Sequence, residues 1–140
     1  MSKNMRSDLL KKINDTNNPG IINLANMAIK DDEISEIMEN LKLSQPGLSV
    51  LDLDNNQLSD DGALILAQYL FNFHHITELS LQYNNIGRKG AISIFSLKKL
   101  YTSLDILFHG NKIHDVGEMA EIEQLSLAES ITTHPVLVQR

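Results

Sequence analysis

The sequence predicts an α/β fold: a right-handed solenoid whose parallel strands line a concave face and whose helices cover the convex one. Three observations predict it. Leu51, Leu53, Asn56, Leu58, Gly62, Ala63 and Leu66 recur, 28 positions on, as Leu79, Leu81, Asn84, Ile86, Gly90, Ala91 and Ile94. Self-similarity at a period in the twenties marks stacked repeats. Within each unit a short apolar alternation, the mark of a strand, gives way to apolar residues at steps of four, as in Leu66 and Leu70, the mark of a helix. The apolar content, 42% of 140 residues, is modest for a conventional core, but each coil of a stack needs cover only from its neighbours.

The elements follow in order. Ser7 to about Asn17 reads as an amphipathic helix with Leu9, Leu10 and Ile13 on one side, a cap for an open solenoid end. The first repeat is degenerate: Ile22, Leu24, Met27, Ile29, Ile37 and Leu41, with Met27 in the place of Asn. The next two fit an eleven-residue strand pattern in full, apolar at positions 1, 4, 6 and 11 with Asn at 9: Leu48, Leu51, Leu53, Asn56, Leu58, then Ile76, Leu79, Leu81, Asn84, Ile86. A fourth set, Ile106, Phe108, Asn111, Ile113 and Gly117, lies 27 beyond its predecessor, with Ser103 in the first apolar place. Pro46-Gly47 separates the first helix from the next strand. Asp31, Asp60 and Asp115 stand at expected N-caps, and Asp115 with Glu118 resembles a capping box. After Leu125 the repeat signal ends; a helix to about Ser130 and an extended segment around Pro135 are expected. The resulting division is residues 1–20 as cap, 21–125 as about four repeats, and 126–140 as C-terminal cap or tail.

Side chains alternate along each strand. Leucines at positions 4 and 6 therefore point inward, each worth roughly 1.5–3 kcal/mol when fully buried. The Asn column meets a different need: where the chain leaves a strand, its shielded backbone groups lose their ladder partners, and an amide can satisfy them across neighbouring coils. Gly62, Gly90 and Gly117 open the helices, where a side chain is expected to collide with the adjacent turn.

The motif Leu-x-x-Leu-x-Leu-x-x-Asn-x-Leu, followed by Gly-Ala and a helix, resembles the ribonuclease-inhibitor-like class of leucine-rich repeats over roughly Ile21 to Leu125. The resemblance implies protein ligands and no catalysis. This chain lacks the cysteines and the length of the long vertebrate members. In that respect it is similar to short leucine-rich repeat effectors that intracellular bacteria inject into host cells. Glu118, Glu121, Glu123 and Glu129, with apolar Leu137 and Val138 beyond them, look like a type IV secretion signal, although a solvated helix face explains the glutamates more simply.

Composition bounds the function. With no cysteine there is no disulfide, thiolate metal site or cysteine nucleophile, and a reducing, cytoplasmic compartment is the natural expectation, the chain's own or a host cell's. A net charge of −6 argues against nucleic-acid and anionic-membrane binding. Nothing at the N-terminus reads as a signal peptide, and no apolar run approaches the roughly 20 residues that span a bilayer. The outward strand positions are Ile21, Asn23, Ala25, Val50, Asp52, Asp54, Glu78, Ser80, Gln82, Asp105, Leu107 and His109. Four are acidic and none is Lys or Arg. A basic segment of a protein partner is therefore expected on Asp52, Asp54, Glu78, Gln82, Asp105 and His109, with Tyr83 as an amphipathic anchor. A monomer without cofactor or metal is expected. The alternatives are an architectural subunit that self-associates through apolar ends such as Ile21 and Ile22, and an enzyme using His109 and Asp105. A metal held by His109 and His114, with Asp115 nearby, lacks helical spacing and an evident third ligand, and no nucleophile elbow or phosphate loop is present.

Overall fold

The computed structural model describes residues 5–15, 17–113 and 115–133, with side chains as far as residue 126. Helix α1 (Ser7–Ile13) leads into β1 (Ile21–Asn23). Then α2 (Ile34–Ser44), β2 (Val50–Asp52), α3 (Asp60–Leu70), β3 (Glu78–Ser80), α4 (Arg88–Phe95), β4 (Asp105–Leu107) and α5 (Val116–Thr133) alternate along the chain. The strands form one parallel sheet in sequence order, with Ile22, Leu51, Leu79 and Ile106 side by side. The period in the sequence is thus the register of the sheet. Neighbouring strands need about 4.8 Å whereas packed helices need about 8–10 Å, so a stack of such coils curves toward its strands.

One continuous core runs from Leu9 and Ile13 of α1 to Ile122 of α5. The inward leucines Leu51, Leu53, Leu79 and Leu81 are fully buried against Leu66 and Leu70 of α3 and their counterparts. Only the last coil departs: Ile106 is half-buried, because no further coil covers it among the described residues.

The asparagine column meets its expected task. Asn84 Oδ1 accepts the Leu58 N–H at 3.0 Å, and Nδ2 donates to the Leu53 carbonyl at 3.0 Å, both in the preceding coil. Asn56 binds Met27 N–H, Ile29 N–H and the Leu24 carbonyl in the same manner, and Asn111 binds Ile86 N–H and the Leu81 carbonyl. Where the first coil has Met27, the cap takes over: Arg6 Nη2 donates to the Met27 carbonyl at 2.7 Å while its Nε lies 3.0 Å from Glu33. Buried Gln45 fixes α1 to the first coil, accepting from Gly20 N–H and donating to the Ile13 carbonyl.

Several expectations are corrected. α1 stops at Ile13 rather than Asn17, because the Asp15 carboxylate takes the Asn17 N–H and turns the chain. Asp31 and Asp60 do not cap their own helices; Lys30 is the N-cap of the 3-10 turn (Asp31–Glu33) that leads into α2, and Ser59 is the N-cap of α3. Each aspartate instead reaches the next coil. Asp31 accepts from the Ser59 N–H at 2.8 Å and from its hydroxyl, and Asp60 Oδ1 accepts from Gly87 and Gly90 N–H at 2.8 and 3.0 Å. That approach explains two glycines: a Cβ on Gly62 would stand 2.2 Å from Asp31 Oδ1, and one on Gly90 would stand 2.7 Å from Asp60 Oδ1. Gly117 is different, since its Cβ would meet only Asp115 Oδ1 at 3.3 Å. The next residue in the aspartate series is Arg88, which pairs with Glu121 at 2.9 Å and Glu118 at 3.8 Å on α5. Asp115 does act as an N-cap, accepting from the Glu118 N–H at 2.7 Å. α5 runs to Thr133, slightly past the expected end near Ser130.

Two outcomes test this packing. Asn84→Ala is expected to cost about 1–3 kcal/mol in urea unfolding, from buried backbone groups left unpaired, while exposed Asn85→Ala costs little. Gly62→Ala, normally favourable within a helix by about 1 kcal/mol, is expected to destabilise here. Combined with Asp31→Ala, the two losses should fall well short of additive in a double-mutant cycle.

Candidate binding face

The outward residues of the strands are set by the same register. Glu78 stands beside Val50 on one side and Asp105 on the other, and Asp52 stands beside Ser80. Two carboxylates, Glu78 and Asp105, therefore occupy adjacent strands about 4.8 Å apart. Like charges so placed are mildly destabilising, by a few tenths of a kcal/mol. Among the described residues, the ion pairs join Arg6, Lys42 and Arg88 to acids of the cap and helices, not to these.

Asp54 has a different part from the one expected. Its Oδ1 accepts from the Ser80 hydroxyl and the Gln82 N–H, both at 2.7 Å, and Oδ2 accepts from Gln82 Nε2 at 3.2 Å. Its oxygens are largely engaged by the next coil, as is the Gln82 amide. Ser80, read as an outward residue, is buried beneath these hydrogen bonds. Asp52 remains half-exposed, accepting the Asp54 N–H at 2.9 Å. Burial lifts the Asp52 carboxyl above its ordinary range; the Asp54 N–H partly offsets this, and the Asp54 charge adds to the rise.

Tyr83 has a property invisible in its side-chain chemistry. Its backbone is left-handed, at φ 58°. The equivalent places in the other coils hold Asn26, Asn55 and Gly110, all with positive φ. Asn and Gly suit this conformation, whereas an ordinary L-residue costs about 1–2 kcal/mol there. The ring is 51% exposed, lies over Gly110 where a Cβ would come within 2.4 Å of it, and meets the His109 ring edge-to-face at 5.5 Å. The Tyr83 N–H donates to the His109 carbonyl at 2.8 Å. Asp52, Glu78, Asp105, Tyr83 and His109 thus share one face, with Asp54 and Gln82 as its internal struts. Sequence reading missed the recurrent left-handed position, although Asn26, Asn55 and Gly110 at repeat spacing carried the signal.

His114, one of three residues weighed for a metal, lies outside the described residues, as do the side chain of Glu129 and all of Leu137 and Val138. Among the described residues no group of three potential ligands converges. Among the described residues no helix is long and apolar enough to cross a membrane. Two of the glutamates weighed as a secretion signal, Glu118 and Glu121, pair with Arg88.

Asp52→Asn tests the electrostatics. Asparagine keeps an acceptor for the Asp54 N–H and removes the charge. Because folding raises this carboxyl's pKa, its ionisation opposes folding: wild type and variant should be equally stable below the unfolded-state pKa. The variant should become more stable as pH rises through the folded-state value. Thermal melts from pH 3 to pH 7 should show a gain at neutral pH of a few tenths of a kcal/mol, small because solvent screens the site.

A profile described as Leucine Rich repeat matches residues 47–67 and 74–95, the second and third coils. A comparison with curated proteins finds no match. Among solved structures, leiomodin-1 actin-binding site 2 (ABS2) is similar over 99% of this chain and 98% of its own, with a TM-score of 0.55 and 17% identity. In fold the chain is a leucine-rich-repeat-like solenoid of parallel strands and flanking helices, and its second and third coils match the repeat profile itself.

Proposed function

We propose that the chain is a protein-interaction module whose concave face receives a basic segment of a partner, with Asp52, Glu78 and Asp105 as its charged floor and Tyr83 as its anchor. One observation carries the reading: Tyr83 sits where every other coil has Asn or Gly, holding an amphipathic ring half out of the surface at a conformational cost. Strain kept at one position of a repeat points to a use for that side chain. The neighbouring carboxylates, adjacent and outside the ion pairs of the helices, add a like-charge cost that a cationic ligand would relieve. The likeness to leiomodin-1 is one of fold and names no partner.

Delivery into a host cell by a type IV system rests on the sequence resemblance to injected effectors, and a translocation reporter fused to residues 116–140 tests it directly.

The binding reading predicts opposite signs for stability and affinity at one site. Tyr83→Asn should raise unfolding stability by up to about 1 kcal/mol and weaken partner capture by about tenfold or more, the loss typical of a hot-spot aromatic. Asp52→Lys with Glu78→Lys should abolish capture, and added salt should weaken capture by the wild type. Full capture by the charge-reversed protein overturns the proposal. Light scattering that shows a concentration-dependent dimer would favour the self-associating subunit instead.

A further inference from the structure

The last coil ends in a groove of about 560 Å³ between β4 and the first turns of α5. Phe95, Ile106, Phe108, Ile113, Val116 and Met119 supply its apolar wall, Asp115 and Glu123 stand at its rim, and among the described residues no Lys or Arg lines it.

The hydrogen bonds between coils show what such a groove accepts. Leu24, Leu53 and Leu81 donate their N–H to the next strand, each at 2.8 Å, reaching the carbonyls of Asp52, Ser80 and Leu107. Two residues on, Asn26, Asn55 and Tyr83 donate to Asp54, Gln82 and His109 at 3.0, 2.9 and 2.8 Å. Phe108 and Gly110 hold these two donor places in the last coil, and among the described residues no strand follows β4. At each of these three junctions the acceptors are two alternate carbonyls of the following strand, and the residue between them, Leu53, Leu81 or Phe108, points inward and is buried.

The geometry points to a second binding site here: an extended segment of a protein partner adds to the β4 edge, parallel to it. Its alternate carbonyls accept from Phe108 and Gly110, and its intervening aliphatic side chain fills the groove. A neighbouring Lys or Arg pairs with Asp115 and Glu123. Strand addition of this type takes affinity from the main chain and specificity from the pocket. The carboxylate rim selects a basic sequence over an acidic one. The site lies at the end of the stack, beyond the concave floor of Asp52 and Glu78, and does not depend on that floor's function.

A Ser-Val-Leu-Val-Lys-Arg peptide carrying fluorescein on its N-terminus and amidated at its C-terminus probes the site by anisotropy with the full chain. Saturable binding is expected, weakened about tenfold or more when the peptide's Leu is replaced by Ser, because a hydroxymethyl group buries far less apolar surface in the groove than an isobutyl group. Glu123→Lys and Val116→Lys should each weaken binding by a similar factor; both residues are exposed, Val116 at 86%, so the fold is kept and a thermal melt confirms it. Asp52→Lys should leave binding unchanged, which separates this site from the concave face. The proposal is overturned if no saturable binding occurs, or if the Ser peptide binds equally well. It is also overturned if the peptide binds only after residues 134–140, with Val136, Leu137 and Val138, are removed, since the groove would then belong to the chain's own end. A dimer that Val116→Lys disperses would overturn it in favour of a second copy.

Discussion

Everything in this molecule depends on how each coil satisfies the backbone of the one before it. A three-residue strand pairs too little of the chain to bury the exits on its own, and unpaired groups there would cost about 1–3 kcal/mol each. Asn56, Asn84 and Asn111 meet that demand with one side chain per coil, each bridging two coils. Asp31 and Asp60 do the same at the helix starts, where their carboxylates take N–H groups at the N-terminus of the following helix. A negative charge at that end also complements the helix dipole. The apolar core supplies most of the stabilisation, but these polar rungs decide the register in which it stacks.

The same rungs explain why not every acid on the concave face is free for a ligand. Asp54 is turned to Ser80 and Gln82, and so works as part of the scaffold. Asp52, Glu78 and Asp105 are left as the ionic surface, and the raised pKa of Asp52 reflects its burial first and the nearby Asp54 charge second. Tyr83 adds an apolar element at the same edge, at a backbone position better suited to Asn or Gly. The face is costly in two independent ways, electrostatic and conformational, and both costs fall on residues that touch solvent.

The two ends of the stack are treated differently. At the start, α1 covers the first coil: Arg6 takes the Met27 carbonyl, and Gln45 of the first coil takes the Ile13 carbonyl of α1. At the finish, α5 packs on α4 and covers the helix side, with Arg88 joining them, while among the described residues no strand follows β4. A coil that offers the same bonding pattern as its predecessors is complementary to one more strand.

The sequence alone determined the coil, the period and the inward face, because those depend on local alternation and on residue types that recur at a fixed offset. Leu51 and Leu79, Asn56 and Asn84, Gly62 and Gly90 are legible for that reason. It also located the charged positions of the outward face. What it did not determine is what each polar side chain touches, since those partners lie a full coil away. Asp31 reads as a local cap and acts on Ser59, Asp54 reads as surface and acts on Gln82, and Gly117 reads as Gly62 but has no aspartate of an earlier coil to admit. The left-handed position of Tyr83 was legible from Asn26, Asn55 and Gly110 at repeat spacing, but the contact of its ring with Gly110 and His109, and the groove beside β4, were settled only by the packing of one coil on another.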